Sequence, residues 1–223
     1  MITNAIPVIA IDGPSASGKG TVAQLVATEL GFHYLDSGAL YRIVALATQQ
    51  RNIAWNNASE VAECAKTLRI QFSGDQIYLN DTDVSDAIRS ELMGKGASEV
   101  AVHAPLRSVL LNLQHSFRQP PGLVADGRDM GSVVFPDSLL KIFLTASTEV
   151  RAQRRLQQLL GKNQAADYGD ILLDLQQRDA RDQGRASAPL MMPVDAILLE
   201  TDNLTISAAV SLILENYWHK MHK

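Results

Sequence analysis

The stretch Pro7-Val8-Ile9-Ala10-Ile11-Asp12-Gly13-Pro14-Ser15-Ala16-Ser17-Gly18-Lys19-Gly20-Thr21 decides the fold. Its opening residues, Pro7 to Asp12, are a short continuous apolar run ending in an aspartate, the composition of a strand buried on both faces of a parallel sheet. Glycines follow at once. From Lys19 to Leu30 the apolar residues Val22, Leu25, Val26 and Leu30 recur at helical spacing until Gly31 stops the pattern. Strand, glycine loop and helix in this order make an anion cradle. The glycines let backbone N–H groups turn inward around a phosphate, and the start of the helix adds its positive dipole end. Gly13, Pro14, Ser15, Ala16, Ser17, Gly18, Lys19, Gly20 and Thr21 are therefore the expected contacts of a nucleotide triphosphate. Lys19 supplies a mobile point charge for the outer phosphates, and Thr21 offers a hydroxyl toward Mg²⁺ or a phosphate. The loop departs from G-x-x-x-x-G-K-[ST], because Gly20 stands where a hydroxyl residue is usual and Thr21 comes one place later.

Outward from this loop the chain reads as alternating strands and helices. Asp36 and Ser37 precede a helical run from Ala39 to Gln50, and either side chain suits its N-terminal cap. Between Arg69 and Asn80 the period switches to two, with Ile70, Phe72, Ile77 and Leu79 around Ser73-Gly74-Asp75, which predicts a hairpin. The region of residues 62–103 reads as a small inserted subdomain that interrupts the βα rhythm. Gly122 to Asp126, Leu139 to Leu144 and Ala196 to Leu199 are further buried-strand candidates. Repeated βα units imply right-handed crossovers, helices on both faces of a parallel sheet, and a ligand crevice at the carboxyl ends of the strands, where Asp12, Asp126 and the glycine loop would meet. The expected class is α/β: a parallel β-sheet flanked by helices behind a phosphate-binding loop, with an inserted hairpin and helical subdomain.

Composition narrows the function. A chain of 223 residues suits one α/β domain with elaborations, and 46% hydrophobic with 20% charged residues is ordinary for a globular protein. The net charge of −4 offers no polyanion-binding surface, so a nucleic-acid partner is not expected. The apolar start, Met1 to Asp12, lacks a basic flank and a cleavage-like site, and no stretch is long enough to span a bilayer, so a cytoplasmic protein without a membrane partner is expected. The single cysteine, Cys64, reads as packing. His33, His103, His115, His219 and His222 are scattered without metal-ligand spacing. With no long apolar heptad or stripe demanding a partner, a monomer is expected.

Three further segments carry chemistry: Leu35-Asp36-Ser37-Gly38-Ala39-Leu40-Tyr41-Arg42, Ala125-Asp126-Gly127-Arg128-Asp129-Met130-Gly131, and Arg178-Asp179-Ala180-Arg181-Asp182-Gln183-Gly184-Arg185. Together with the loop GPSASGKGT these resemble the bacterial cytidylate kinases over essentially the whole chain. The resemblance implies a P-loop kinase core, an enlarged insert over the acceptor nucleotide, and a mobile lid, here residues 151–187, closing over ATP. It implies transfer of a phosphoryl group from ATP to CMP or dCMP. Ser37, Arg42, Ser98, Arg107, Arg128, Asp129, Arg178 and Asp182 fall where that family places its CMP contacts.

The chemistry of these side chains agrees with that implication. A monophosphate carries roughly −1.5 to −2 charges, and arginine's rigid fork suits its oxygens, which points to Arg42 and Arg128. Cytosine presents a donor N4 amine beside an acceptor N3, so a carboxylate and a guanidinium, Asp129 and Arg107, would select it over uracil. The competing readings are structural: Arg42 as a solvated helix residue, Arg128 and Asp129 as a turn salt bridge, and residues 178–185 as a charged helix face held by i, i+3 and i, i+4 pairs. No nucleophile–base pair is evident. An acceptor phosphate already ionised needs alignment and charge neutralisation instead, the role expected of Lys19, Mg²⁺ and the lid arginines Arg154, Arg181 and Arg185. The rival functions are another small-molecule P-loop kinase, such as a uridylate or adenylate kinase, and an ATP-dependent switch without an acceptor.

Overall fold

The computed structural model describes residues 6–73, 76–161 and 163–222. The chain runs β1 (Val8–Asp12), α1 (Lys19–Leu30) and β2 (His33–Asp36), then α2 (Ser37–Gln50), α3 (Ala58–Lys66), β3 (Ile70–Ser73), β4 (Gln76–Leu79) and β5 (Thr82–Asp83). A 3₁₀ turn (Ala87–Arg89) leads to α4 (Glu91–Val100), α5 (Ala104–Ser116), β6 (Leu123–Gly127) and a π turn (Met130–Val134). The chain ends with β7 (Leu140–Thr145), α6 (Thr148–Leu160), α7 (Tyr168–Gly184), β8 (Ile197–Glu200) and α8 (Ile206–Met221). These elements fall into two compact units, one formed by the chain up to Leu35 and from Ser116 onward, the other by Asp36–His115.

The first unit is built on a five-stranded sheet of order β2-β6-β1-β7-β8. β1 is parallel to both β6 and β7, and β7 to β8. β1 therefore occupies the centre, and Val8, Ile9, Ala10 and Ile11 have no exposed surface, which is why this strand reads as continuous apolar sequence instead of alternating. Burying an isoleucine such as Ile9 or Ile11 contributes roughly 1.5–3 kcal/mol relative to leaving it exposed. Val22, Ala23, Val26 and Ala27 of α1 and Ala209, Val210, Ile213 and Tyr217 of α8 join the sheet residues in one core cluster. α1 ends at Gly31, whose φ of 63° lies in the left-handed region and whose N–H bonds back to the last turn. Glycine is needed there because a Cβ would strain that backbone.

The register fixes where the chemistry gathers. Ile11 stands opposite Asp126 and Asp12 opposite Gly127, so the segment after β6 and the loop after β1 leave the sheet at the same edge, its carboxyl end. The expected strands are present, each displaced by about one residue, whereas β2 was not anticipated. Its sequence HYLD holds one fully buried residue, Leu35, and an edge strand needs no apolar run.

The second unit contains α2 to α4, most of α5 and a three-stranded sheet of order β3-β4-β5. β3 and β4 pair antiparallel, with Ile70 opposite Leu79 and Phe72 opposite Ile77, the hairpin that the period of two predicts; its expected turn residues Gly74 and Asp75 lie outside the described residues. Asp36 caps α2, its carboxylate accepting from the Ala39 N–H at 3.0 Å. Cys64 is buried on α3, and burial pushes its thiol up from the ordinary value, which suits packing and not nucleophilic work. Among the described residues no helix is long and apolar enough to cross a membrane.

Candidate active site

The loop between β1 and α1 is shaped by close approach. A Cβ on Gly13 would lie 1.9 Å from the Leu144 carbonyl oxygen, so only glycine lets the loop leave the sheet beside β7. Gly18, at φ 90°, forms the N-cap of α1 without contributing a side chain. The helix therefore starts with its N-terminal dipole presented to the loop. Lys19, in the first turn, donates from Nζ to the Pro14 carbonyl at 3.5 Å, a contact at the outer limit of a hydrogen bond. Thr21 is exposed on α1, and the Ser17 hydroxyl is buried without a hydrogen-bond partner among the described residues.

Two carboxylates stand at the carboxyl ends of β1 and β6. Asp126 is buried and accepts from the Tyr34 hydroxyl at 3.2 Å. A Cβ on Gly20 would lie 3.5 Å from the other Asp126 oxygen and 3.6 Å from the Tyr34 hydroxyl. The position where this loop lacks the usual hydroxyl is thus edged by a phenol and a carboxylate. Asp126 is among the residues expected at the crevice and Tyr34 is not, because an isolated tyrosine in a strand gives no signal of its partner.

Asp12 accepts from the N–H groups of Met130 and Gly131 at 2.7 and 2.8 Å. It ties the strand under the phosphate loop to the turn that follows Arg128 and Asp129. Burial pushes its carboxyl up to about 6, and the charge of Asp129 adds to this, while the two N–H bonds and Arg128 oppose it. Because the folded value lies above the ordinary 3.8, Asp12 favours the fold most below that ordinary value, and the contribution is lost as pH rises through about 6. The stability of the native chain relative to Asp12→Asn should therefore rise by about 1 kcal/mol between pH 7.5 and 5, because the other carboxylates titrate alike in both proteins. Urea unfolding at a series of pH values measures this, and a difference that stays flat would refute the assignment.

Arg128 follows β6 directly. Its Nε donates to Asp182 at 2.7 Å, NH1 to the Gly127 carbonyl at 3.2 Å, and NH2 to the Ser15 hydroxyl at 2.7 Å. The turn salt bridge considered for Arg128 is thus made with α7 instead of with neighbouring Asp129, which is itself buried. Burial pushes Asp182 up, yet Arg128, with Arg185 and Arg178 nearby, holds it below the ordinary carboxyl value. Arg178 pairs with Asp174 at 3.5 Å, one turn earlier on α7, and burial lowers its pKa from the ordinary guanidinium value. Arg185, at the C-terminal end of α7, is buried and donates to the Asp182 carbonyl at 3.3 Å, and Arg181 is half-buried on the same helix. The i, i+4 partner of Arg178 is thus Asp174, outside the segment 178–185, while Asp182 pairs with Arg128, and the face carrying Asp182 and Arg185 is buried rather than solvated.

Arg154 donates to the hydroxyl at 3.1 Å and to the carbonyl of Thr201 after β8. The same hydroxyl donates to the carbonyls of Thr145 at 3.1 Å and Ser17 at 3.4 Å. Arg151, three residues earlier, is buried against Ser15 and Asp179.

The other expected acceptor contacts belong to the second unit. Ser37 is the buried first residue of α2. Arg42 donates to the carbonyls of Ile88 at 3.0 Å and Ser90 at 3.4 Å, so it is positioned at the start of α4 instead of waving in solvent. Arg107 lies over the ring of Tyr41, 5.8 Å from its centroid, and donates to the Ala101 carbonyl at 3.4 Å. The Ser98 hydroxyl on α4 is buried with no hydrogen-bond partner among the described residues. Burying a hydroxyl without a partner is costly, and a ligand group is one remedy.

The chain as a whole is similar to known proteins. The protein family described as cytidylate kinase matches residues 9–219 of the chain. A cytidylate kinase of Polynucleobacter asymbioticus is 57% identical over 214 residues, spanning 96% of this chain and 97% of that one. A cytidylate kinase of Chromobacterium violaceum is 53% identical over 215 residues, spanning 96% and 97%. Among solved structures, a gluconokinase from Sinorhizobium meliloti superposes with a TM-score of 0.51 at 14% identity, covering 97% of this chain and 94% of that one, which speaks for the fold alone. By the extent of the family match and the level of identity, this chain belongs to the cytidylate kinase family.

Proposed function

We infer that this protein transfers the γ-phosphoryl group of ATP to CMP or dCMP, giving ADP and CDP or dCDP. The observation that carries the reading is Arg128, a guanidinium hydrogen-bonded at once to the phosphate-loop residue Ser15 and to Asp182 on α7. A cation held beside the loop that grips the donor is in place to meet a second phosphate.

Gly13 to Thr21 bind the triphosphate of ATP, with Lys19 on its outer oxygens. Mg²⁺ accompanies ATP. The oxygen donors fit a hard cation: the Asp126 carboxylate beside Gly20, and the Thr21 hydroxyl one residue on. The ion neutralises charge on the β- and γ-phosphates when bound. Among the described residues no group of three or more His, Cys, Asp or Glu could hold a metal, and Mg²⁺ carried by phosphates needs only one or two protein carboxylates. Arg42 and Arg128 take the phosphate of CMP; Asp129 and Arg107 read the cytosine edge; Ser37, Ser98, Arg178 and Asp182 complete the acceptor contacts. Arg154, Arg181 and Arg185 stabilise charge on the transferring group, and closure of residues 151–187 over ATP keeps water from taking the place of CMP. The enzyme acts as a cytoplasmic monomer on free nucleotides, where its donor ATP is made, without nucleic-acid or membrane partners.

A coupled ADP-release assay over CMP, dCMP, UMP, AMP and shikimate tests this. CMP or dCMP should be preferred; preference for AMP, or hydrolysis that CMP does not accelerate, would exchange the reading for an adenylate kinase or an ATP-dependent switch. Asp129→Ala should erase most discrimination between CMP and UMP, by about 1–3 kcal/mol if its contact resembles other base-edge pairs. The ratio of kcat/KM for the two substrates measures it, and unchanged selectivity would assign cytosine reading elsewhere.

A further inference from the structure

Ser15 is gripped from two sides by arginines that α7 also holds. Its hydroxyl accepts from Arg128, which pairs with Asp182, and its carbonyl accepts from Arg151 at 3.1 Å, which pairs with Asp179. Asp179 and Asp182 are three residues apart on α7 and therefore share a face. The result is a closed ring from the phosphate loop through two arginines to one helix.

The two arms of the ring differ. Arg151 is 3% exposed. Its Nε donates to the Ala146 carbonyl at 3.0 Å, NH1 to the Ser15 carbonyl and to Asp179 Oδ1 at 3.2 Å, and NH2 to the Thr148 hydroxyl at 2.8 Å and Asp179 Oδ2 at 2.6 Å. A guanidinium has five N–H groups, and all five are used. The bidentate pair with Asp179 fixes direction as well as distance. Arg151 therefore has nothing left for a phosphate. Arg128, by contrast, makes three bonds among the described residues, and its bond to Ser15 is to a hydroxyl that can rotate away.

We propose that Arg151 is a positioning residue: through its paired fork to Asp179 and its bond to the Ser15 carbonyl it ties α7 to the phosphate loop. Occupation of that loop by ATP then sets the position of Arg178, Arg181 and Arg185. The proposal rests on the reading that those α7 arginines act on the phosphates. Arg151 does not touch substrate. It converts the shape of the loop around a triphosphate into the placement of a helix, while Arg128 is released to change partners.

Hydrogen exchange of α7, residues 168–184, with and without Mg-ATP reads the tie directly. ATP should protect α7 in the native chain. Asp179→Asn should bind ATP within about threefold of the native affinity by equilibrium dialysis, yet lose most of that protection. Its kcat with CMP should fall about tenfold or more, with both KM values within about threefold of native. Arg151→Lys keeps the charge but loses the fork, and it carries the same test should Asp179→Asn not fold; the double variant should be no slower than the worse single one. Native protection and native kcat in both variants overturn the proposal, as does an α7 that ATP leaves unprotected in the native chain, or a KM rise with kcat unchanged. A native chain whose α7 is protected by ATP but which phosphorylates no CMP would support the tie and remove the acceptor assignment.

Discussion

Lys19→Met is expected to lower kcat by about two to three orders of magnitude, the usual cost of removing one preorganised donor to developing charge, while leaving the fold intact. The physical case is differential. Lys19 donates from Nζ to the Pro14 carbonyl at 3.5 Å, the outer limit of a hydrogen bond. In the transition state the γ-phosphoryl group spreads charge over its equatorial oxygens, and a point charge on a flexible stem can follow it. The substitution should therefore strike kcat more than the KM for ATP, whose phosphates retain the backbone cradle. Single-turnover phosphorylation of CMP with a matched thermal unfolding curve measures both effects. A native rate in a folded Lys19→Met protein would take Lys19 out of the mechanism.

Arg128→Ala should be the most damaging change, because it acts twice. Removing the guanidinium leaves Asp182, with a side chain only 7% exposed, without its partner. Breaking a buried pair from one side costs about 3–5 kcal/mol. Asp182 sits below the ordinary carboxyl value in the folded chain, so the pair's contribution is present above that ordinary value and is lost as pH falls through the folded one. The stability deficit of Arg128→Ala should accordingly be largest at neutral pH and shrink on acidification. Activity should suffer separately: kcat/KM for CMP falls by about 10²-fold or more as a charge-assisted phosphate contact disappears. The double variant Arg128→Ala/Asp182→Asn separates the effects, since it should regain much of the stability and none of the activity. Recovery of CMP phosphorylation in the double variant would reduce Arg128 to a structural partner of α7.

The parts of the fold legible in the sequence were those in which one local cause dominates. β1 announces itself because burial on both faces demands an unbroken apolar run, and α1 because one buried stripe demands a period near 3.6. The hairpin β3–β4 shows its period of two for the same reason. β2 was invisible because an edge strand with one fully buried residue can be written in almost any residues. Of the candidate site, the glycine that opens the loop after β1 answers a local need: no side chain fits between Gly13 and the Leu144 carbonyl. Arg128 and Asp182 stood out as motif residues, but their mutual bond spans 54 positions, and no spacing rule relates residues so far apart.

By itself, then, the order of residues determined the kind of sheet, the place of the glycine loop and the side-chain types proposed to meet a nucleotide, because each follows from local backbone geometry or from the chemistry of a single group. Tertiary structure alone decided the pairings: Asp12 with the turn after Arg128, Tyr34 with Asp126, and Arg128 and Arg151 with the two carboxylates of α7. A charge alternates as readily on a solvated helix face as on a buried one. Which of the two it is depends on what packs against that face, and packing is a property of the folded chain and not of any segment of it.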